Sequence, residues 1–264
     1  MKKPIIPKAL RRLVIVLACA VVVALAFTLW LVDVQWLITP DAEMGLYGIN
    51  KSITGHYHKM SSLAVKVVGC EGEEIGYVSR LVGKRGDEVM IADGYVKVNG
   101  EKIKEVDAAC CSFVVSKETT YKMLHEMERV AERKVNTGDT IVMKLNAVKD
   151  EWRLYLRVPL LKNMPDLRLY PYKSEVHWNG YNWGPIKLPS AGDTIVLNYE
   201  NYVKYGDLIR RYEGTEVAKD GSEYVFKESY ICLIGDDRDV SLDSRYYGLV
   251  PESRVMGNIT TKLW

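Results

Sequence analysis

Twenty consecutive residues, Leu13 to Val32 (LVIVLACAVVVALAFTLWLV), carry no charge and only one polar side chain, Thr28. At about 1.5 Å per residue, such a run spans the ~30 Å hydrocarbon core of a bilayer as a single helix. A cleaved secretory signal is the alternative, but its apolar region is normally ~7–15 residues and ends in a small-residue cleavage site. Here the run is longer, holds Trp30 near its end and is followed by Asp33, Gln35 and Trp36, so an uncleaved anchor over 13–32 is expected. Lys2, Lys3, Lys8, Arg11 and Arg12 precede it without an acid. By the positive-inside rule this flank, 1–12, stays in the cytoplasm and everything after Asp33 lies outside. Trp30 and Trp36 suit the outer interface, where an indole keeps its ring apolar and its N–H wet.

This segment also resolves a misleading net charge. The 264 residues carry 36 Lys plus Arg and 34 Asp plus Glu, a formal +2. Residues 1–32 hold +5 of this and the remainder −3. A −3 exported part without a Lys/Arg-rich stripe argues against a nucleic-acid partner. With 48% hydrophobic residues the chain is neither disordered nor collagen-like, and it is long enough for a real core.

Beyond the anchor the pattern is mostly that of strands. LAVKVVG (63–69) and YVSRLV (77–82) are β-branched runs bounded by glycine. EVMIADGYVKVNGEKI places Asp93-Gly94 and Asn99-Gly100 between apolar runs, where glycine supplies the positive φ of tight hairpin turns. Asp220-Gly221 is read in the same role within EVAKDGSEYVF. One helix is expected at 117–134, with Tyr121, Leu124, Met127 and Val130 on one face. Residues 151–185, rich in Tyr, Trp, Arg and Pro, read as extended surface segments, although their aromatics also suit core and sheet. The expected fold is mainly β and partly barrel-like over 33–102 and 184–264, with a small α/β insertion at 103–183.

Two stretches then carry a resemblance. GDDRDVSLDSRYYG, opening at Gly235, is similar to the C-terminal signature of the type I signal peptidases, Gly-Asp-Asn-Arg-Asp-x-Ser-x-Asp-Ser-Arg-Tyr-x-Gly; it departs only at Asp237, where Asn is usual. SRLVGKRGD, from Ser79, resembles that family's Lys-Arg-x-x-Gly-x-Pro-Gly-Asp segment. GPIKLPSAGDTIVLNYENY (184–202) resembles the form found in Bacteroidetes-type bacteria. The resemblance implies a serine endopeptidase that removes signal peptides, anchored in the bacterial inner membrane with its main domain in the periplasm. Its partners would be exported preproteins or other extended peptides, and it would need no cofactor.

The chemistry of such an enzyme requires a Ser nucleophile and a neutral Lys general base with its pKa lowered by burial. The family segment Pro-Ser-x-Ser-Met corresponds to Pro40-Asp41-Ala42-Glu43-Met44, and the base lysine to Ser79. The resemblance therefore puts Glu43 at the nucleophile, Ser79 at the base and Asp41 at an oxyanion-binding hydroxyl. Carboxylates there oppose the negative charge of a tetrahedral intermediate. The supporting positions match better: Arg80 follows the base position, Ser241 stands where a hydroxyl orients the lysine, and Asp243 with Arg245 stand at a structural ion pair, which folding alone explains. The expectation is an inactive homologue that binds extended peptides. The alternatives are an active peptidase with a relocated centre, drawn from Ser52, Ser61, Ser62 or Ser79 with Lys51, Lys66 or Lys84, and a structural envelope protein.

His56 and His58 lack partners at ligand spacing, so no metal site is expected. Of the five cysteines, Cys19 lies in the apolar run. Any bridge among Cys70, Cys110, Cys111 and Cys232 would involve Cys70 or Cys232, because adjacent cysteines pair poorly with each other.

Overall fold

A computed structural model describes residues 14, 16–23, 31–39, 44–52, 57–69, 72–92, 94–104, 110–115, 121–137, 140–146, 156–157, 168–172 and 178–264. Along the chain run β1 (Val32–Ile38), β2 (Met44–Asn50), β3 (Ser62–Val68), β4 (Glu74–Gly83), β5 (Glu88–Ala92), β6 (Tyr95–Val98) and β7 (Glu101–Lys102). Next come β8 (Cys110–Val115), helix α1 (Tyr121–Val130), β9 (Ala131–Thr137), β10 (Thr140–Asn146), β11 (Leu156–Arg157), β12 (Trp183–Lys187) and β13 (Thr194–Val196). Helix α2 (Tyr199–Glu213), β14 (Glu223–Val225), β15 (Tyr230–Ile234), the short α3 (Ser244–Tyr247), β16 (Val250–Pro251) and β17 (Val255–Lys262) complete the order.

The architecture is mainly β, in antiparallel sheets. The largest has the order β1-β2-β17-β3-β4-β15-β16, and β1 also meets β4 in parallel at Ile38 and Tyr77. That one pairing turns five strands into a barrel. Its interior is filled by Leu37, Tyr47, Ile49, Ala64 and Val78, backed by Met256 and Ile259, which draws on every barrel strand. The period of two then directs Leu63, Val65, Tyr77 and Leu81 to the opposite face, where they pack with Ile231, Leu233, Tyr247 and Val250. Strands apolar on both faces, as β3 and β4 read in the sequence, follow from this double duty.

A second sheet, β12-β5-β6-β7, carries the hairpins expected from Asn99-Gly100: φ is 53° and 82° at these two residues, the left-handed pair a tight primed turn requires. Its core joins Val89, Ile91 and Val96 to Trp183, Tyr170 and the α2 residues Tyr205, Leu208 and Ile209. Tyr170 and Trp183 are thus core residues rather than surface, and the Trp183 indole donates to the Tyr170 carbonyl at 3.0 Å. A third sheet, β11-β8-β10-β9, has its own small core in Val115, Met127 and Met143 beneath α1.

Several expectations need correcting. The helix expected at 117–134 is helical over 121–130, and Ala131–Thr137 is strand β9. The ladder to β10, with Val135 opposite Val142 and Thr137 opposite Thr140, prevails over the helical propensity of the Glu-Arg-Lys run. Residues 117–120 lie outside the described residues. Asp220-Gly221 does not close a hairpin, since β14 pairs with β13 across α2. Helix α2 was not expected at all. Asn198 caps it by accepting from Asn201 N at 2.9 Å, and Gly214 ends it in the left-handed region at φ 61°.

Val32, the last residue of the apolar run, opens β1. Within that run residues 14, 16–23 and 31 are described and helical. Among the described residues no helix is long and apolar enough to cross a membrane; 1–13, 15 and 24–30 lie outside them. Cys232 is a free, fully buried thiol whose pKa burial drives far up, with Asp243 adding to the effect, so it does not serve as a bridge partner. Cys70 is outside the described residues.

Loss of the α2 cap gives a local test. Asn198→Ala should lower stability by about 1 kcal/mol in denaturant unfolding, with Asn198→Asp close to wild type.

Candidate active site

The region singled out by the sequence is built where β4 leaves β3 for β15. Ser79 is 1% exposed, opposite Leu63 on β3 and on the same face of β4 as Tyr77 and Leu81. Its Oγ is buried and makes no hydrogen bond. Over it lies Tyr247, at the end of α3, whose ring stands 5.2 Å from that of Tyr77 at 40°. The Tyr247 hydroxyl is equally without a hydrogen bond. Burial, then the Asp243 carboxylate, hold its pKa well above the usual tyrosine value, and the nearby Ser79 hydroxyl acts in the opposite sense. Position 79 is therefore a closed, packed position, with Tyr77 beside it on β4, Tyr247 over it and a buried hydroxyl at its floor.

Ser241 reaches the same corner from the other side. In the β15–β4 register Ile234 pairs with Arg80, which brings the following residue, Gly235, level with Ser79. Ser241 is fully buried and sits on Gly235 so closely that a Cβ there would come within 2.1 Å of its Oγ. The invasion of that space by a serine is why residue 235 must be glycine.

An ion pair holds this loop in place. Asp243 and Arg245 are 0% and 1% exposed, with Nε to Oδ1 at 2.9 Å and a terminal guanidinium nitrogen to Oδ2 at 2.8 Å. Asp243 Oδ2 also accepts from Gly235 N at 2.9 Å, and its Oδ1 caps α3 by accepting from Arg245 N at 3.0 Å. Arg245 donates in addition to the Arg238 carbonyl at 2.9 Å. Asp243 adds to the burial of Arg245 the opposing effect that keeps the guanidinium pKa raised. Next to Ser79, Arg80 makes a two-pronged bond to Asp236, at 2.6 and 2.5 Å, and donates to the Met60 carbonyl at 2.6 Å. Asp237, the departure from the signature, is buried and accepts from Asp239 N at 3.2 Å.

The structure thus brings Ser79, Arg80, Ser241, Asp243 and Arg245 together. Glu43 and Asp41 lie outside the described residues. Tyr247 and Tyr77 were not singled out from the sequence, although the period of two through Tyr77, Ser79 and Leu81 carried the signal.

The lysines weighed for a relocated centre are elsewhere. Lys51 is 2.7 Å from Asp33 and Lys66 3.5 Å from Glu74, both on exposed side chains, while Lys84 donates to the Tyr57 carbonyl. No lysine whose side chain is described is buried. Ser62 and Lys66, four residues apart on β3, are separated by ~13 Å at the usual rise of a strand. Ser52 is exposed and donates to Asn50. His58 is exposed, His56 is outside the described residues, and among the described residues no three His, Cys, Asp or Glu side chains are placed to hold a metal.

The family described as Signal peptidase, peptidase S26, matches residues 6–149 and 187–264. Signal peptidase IB of Staphylococcus aureus, in strains Mu50 / ATCC 700699, N315 and MW2, is 37% identical over 78 residues, 27% of this chain. Those residues are 39% of each relative, so the chain spans about two fifths of the length of the curated relatives it matches.

The buried pair should respond asymmetrically to substitution. Arg245→Met leaves a buried carboxylate uncompensated and should lose about 3–5 kcal/mol in chemical unfolding, whereas adding Asp243→Leu should recover a large part of it.

Proposed function

We propose, from the premise that this chain belongs to the signal peptidase family, peptidase S26, that it is a membrane-anchored homologue that holds extended peptides without cutting them. The observation that carries this reading is Ser79. In the Ser/Lys mechanism the base must take a proton from the nucleophile near neutral pH, which a lysine does when burial lowers its pKa. A serine hydroxyl has no basicity of that order. Ser79 stands at the corresponding place on β4, buried and without a hydrogen bond, and no described lysine shares its pocket.

The alignment at the other partner points the same way. Glu43 stands at the nucleophile and Asp41 at the oxyanion-binding hydroxyl. Loss of a single member of such a catalytic unit lowers the rate by several powers of ten, and here three positions differ. Arg80, Ser241, Asp243 and Arg245 keep the walls of the site, which supports retention of peptide binding by strand addition. The anchor over Leu13–Val32, with Lys2 to Arg12 on the cytoplasmic side, would hold the domain at the periplasmic face of the inner membrane.

A preprotein assay tests this. The purified full chain should release no mature product; release that disappears with Ser61→Ala or Ser62→Ala would establish an active peptidase with a relocated centre. The combination Glu43→Ser, Ser79→Lys and Asp41→Ser should restore measurable cleavage. A folded triple variant that remains inert would contradict the assignment of these positions.

A further inference from the structure

We infer that strand β14 and the segment that follows α2 form an open hairpin, whose cleft takes an extended peptide alternating basic and small apolar residues. The cleft shares no residue with the corner around Ser79, so the inference stands apart from the peptide-binding reading there.

EVAKDGSEYVF (216–226) has the sequence of a hairpin, and its turn is in place: Gly221 has φ 81°, and Asp220 Oδ1 accepts from Ser222 N at 2.9 Å. The arms leave that turn without pairing. β14 is laddered to β13 on one side, and among the described residues no backbone hydrogen bond joins 215–219 to it on the other. The far ends are tethered, since Lys227 N donates to the Glu213 carboxylate and Lys227 Nζ to Thr215 Oγ1, each at 2.8 Å. Arms held at both ends and unpaired between them enclose a cleft of about 360 Å³.

The β14 wall of the cleft is a free strand edge. Leu197 N donates to the Ser222 carbonyl and Phe226 N to the Asp193 carbonyl. By antiparallel alternation, Glu223 and Val225 then turn their N–H and C=O groups away from β13. Such an edge is a template for an added strand. The floor is apolar, from Leu197, Val217 and Tyr224, while the exposed carboxylates of Glu216, Asp220 and Glu223 stand on the rim. No basic residue among the described ones lines it. Lys219 lies over the Tyr199 ring, 5.1 Å from its centre, and Lys227 is engaged at the tethered end. The edge thus selects an extended backbone, the floor a small apolar side chain, and the rim a lysine or arginine to either side of it. A volume near the low end of the ~300–1,000 Å³ usual for ligand clefts admits only a few residues.

The test uses the full chain in detergent micelles and fluorescein-labelled Lys-Val-Lys-Val-Lys, read by anisotropy at low salt. Wild type should bind this peptide and not Glu-Val-Glu-Val-Glu. Glu216→Gln with Glu223→Gln should weaken binding about fivefold, as the loss of two exposed charge contacts allows. Val225→Pro removes an outward N–H while sparing the β13 ladder, a place where edge strands accept proline, and should weaken binding about tenfold. The basic peptide with every backbone amide N-methylated keeps its charge, loses its donors and should not bind, which tests strand addition on the unaltered protein. No binding of the basic peptide by wild type overturns the inference. Equal binding of the methylated peptide, or displacement by spermidine at matched charge, also overturns it, because the rim would then attract any cation. Unchanged affinity in the double glutamine variant places the peptide elsewhere and overturns it as well.

Discussion

The buried bond between Asp243 and Arg245 sets the geometry of everything around position 79. One carboxylate accepts from the Arg245 side chain, the Arg245 backbone and Gly235 N, so the end of β15, the loop after it and the start of α3 are fixed by a single group. The Arg245 carbonyl then accepts from Tyr170 N at 2.7 Å, which draws in the 168–172 segment. Arg211 of α2 donates to the carbonyls of Tyr247 and Val68, each at 2.9 Å, and so clamps the same turn to the end of β3. The result is a rigid roof, Tyr247, over a floor, Ser79. Such a pair is expensive to bury and gains little over an apolar packing in stability. Its value here is positional, since it brings Ser241 onto Gly235 and level with β4.

Much of this was legible in the sequence where local chemistry leaves little choice. The Asn99-Gly100 turn requires positive φ at both residues, and the β-branched runs at 63–69 and 77–82 can bury both faces only as strands. Ser79, Ser241, Asp243 and Arg245 were legible through motif resemblance and are brought to one corner. Other features depend on partners distant in the chain. Residues 131–134 look helical until β10 lies beside them, and Tyr170 looks exposed until Trp183 closes over it. Helix α2 was missed even though Asn198, Gly214 and the spacing of Tyr205, Leu208 and Ile209 marked it. The seating of Leu37 on Gly76 was not accessible at all, since it arises from a parallel contact between strands that are not neighbours in sequence.

On the proposed function, loss of chemistry and retention of fold have different physical requirements. The corner around Ser79 is fixed by the Asp243–Arg245 pair and by the register of β4 with β15, neither of which involves the Ser79 side chain. The reaction needs a base of tuned pKa, and an apolar, roofed pocket is the environment that tunes a lysine. With serine in that place the same dryness leaves an unsatisfied hydroxyl and no proton acceptor.

On the proposed function, position 79 on β4 is a general-base site from which the base has gone while its environment remains. The most direct measurement is the ε-amine pKa of a Ser79→Lys variant, followed by carbon-13 NMR after reductive methylation of the lysines. The account predicts a resonance titrating several units below the ordinary lysine value of about 10.4, as expected for an ammonium confined to a dry pocket. Titration near that ordinary value in a folded protein would contradict it.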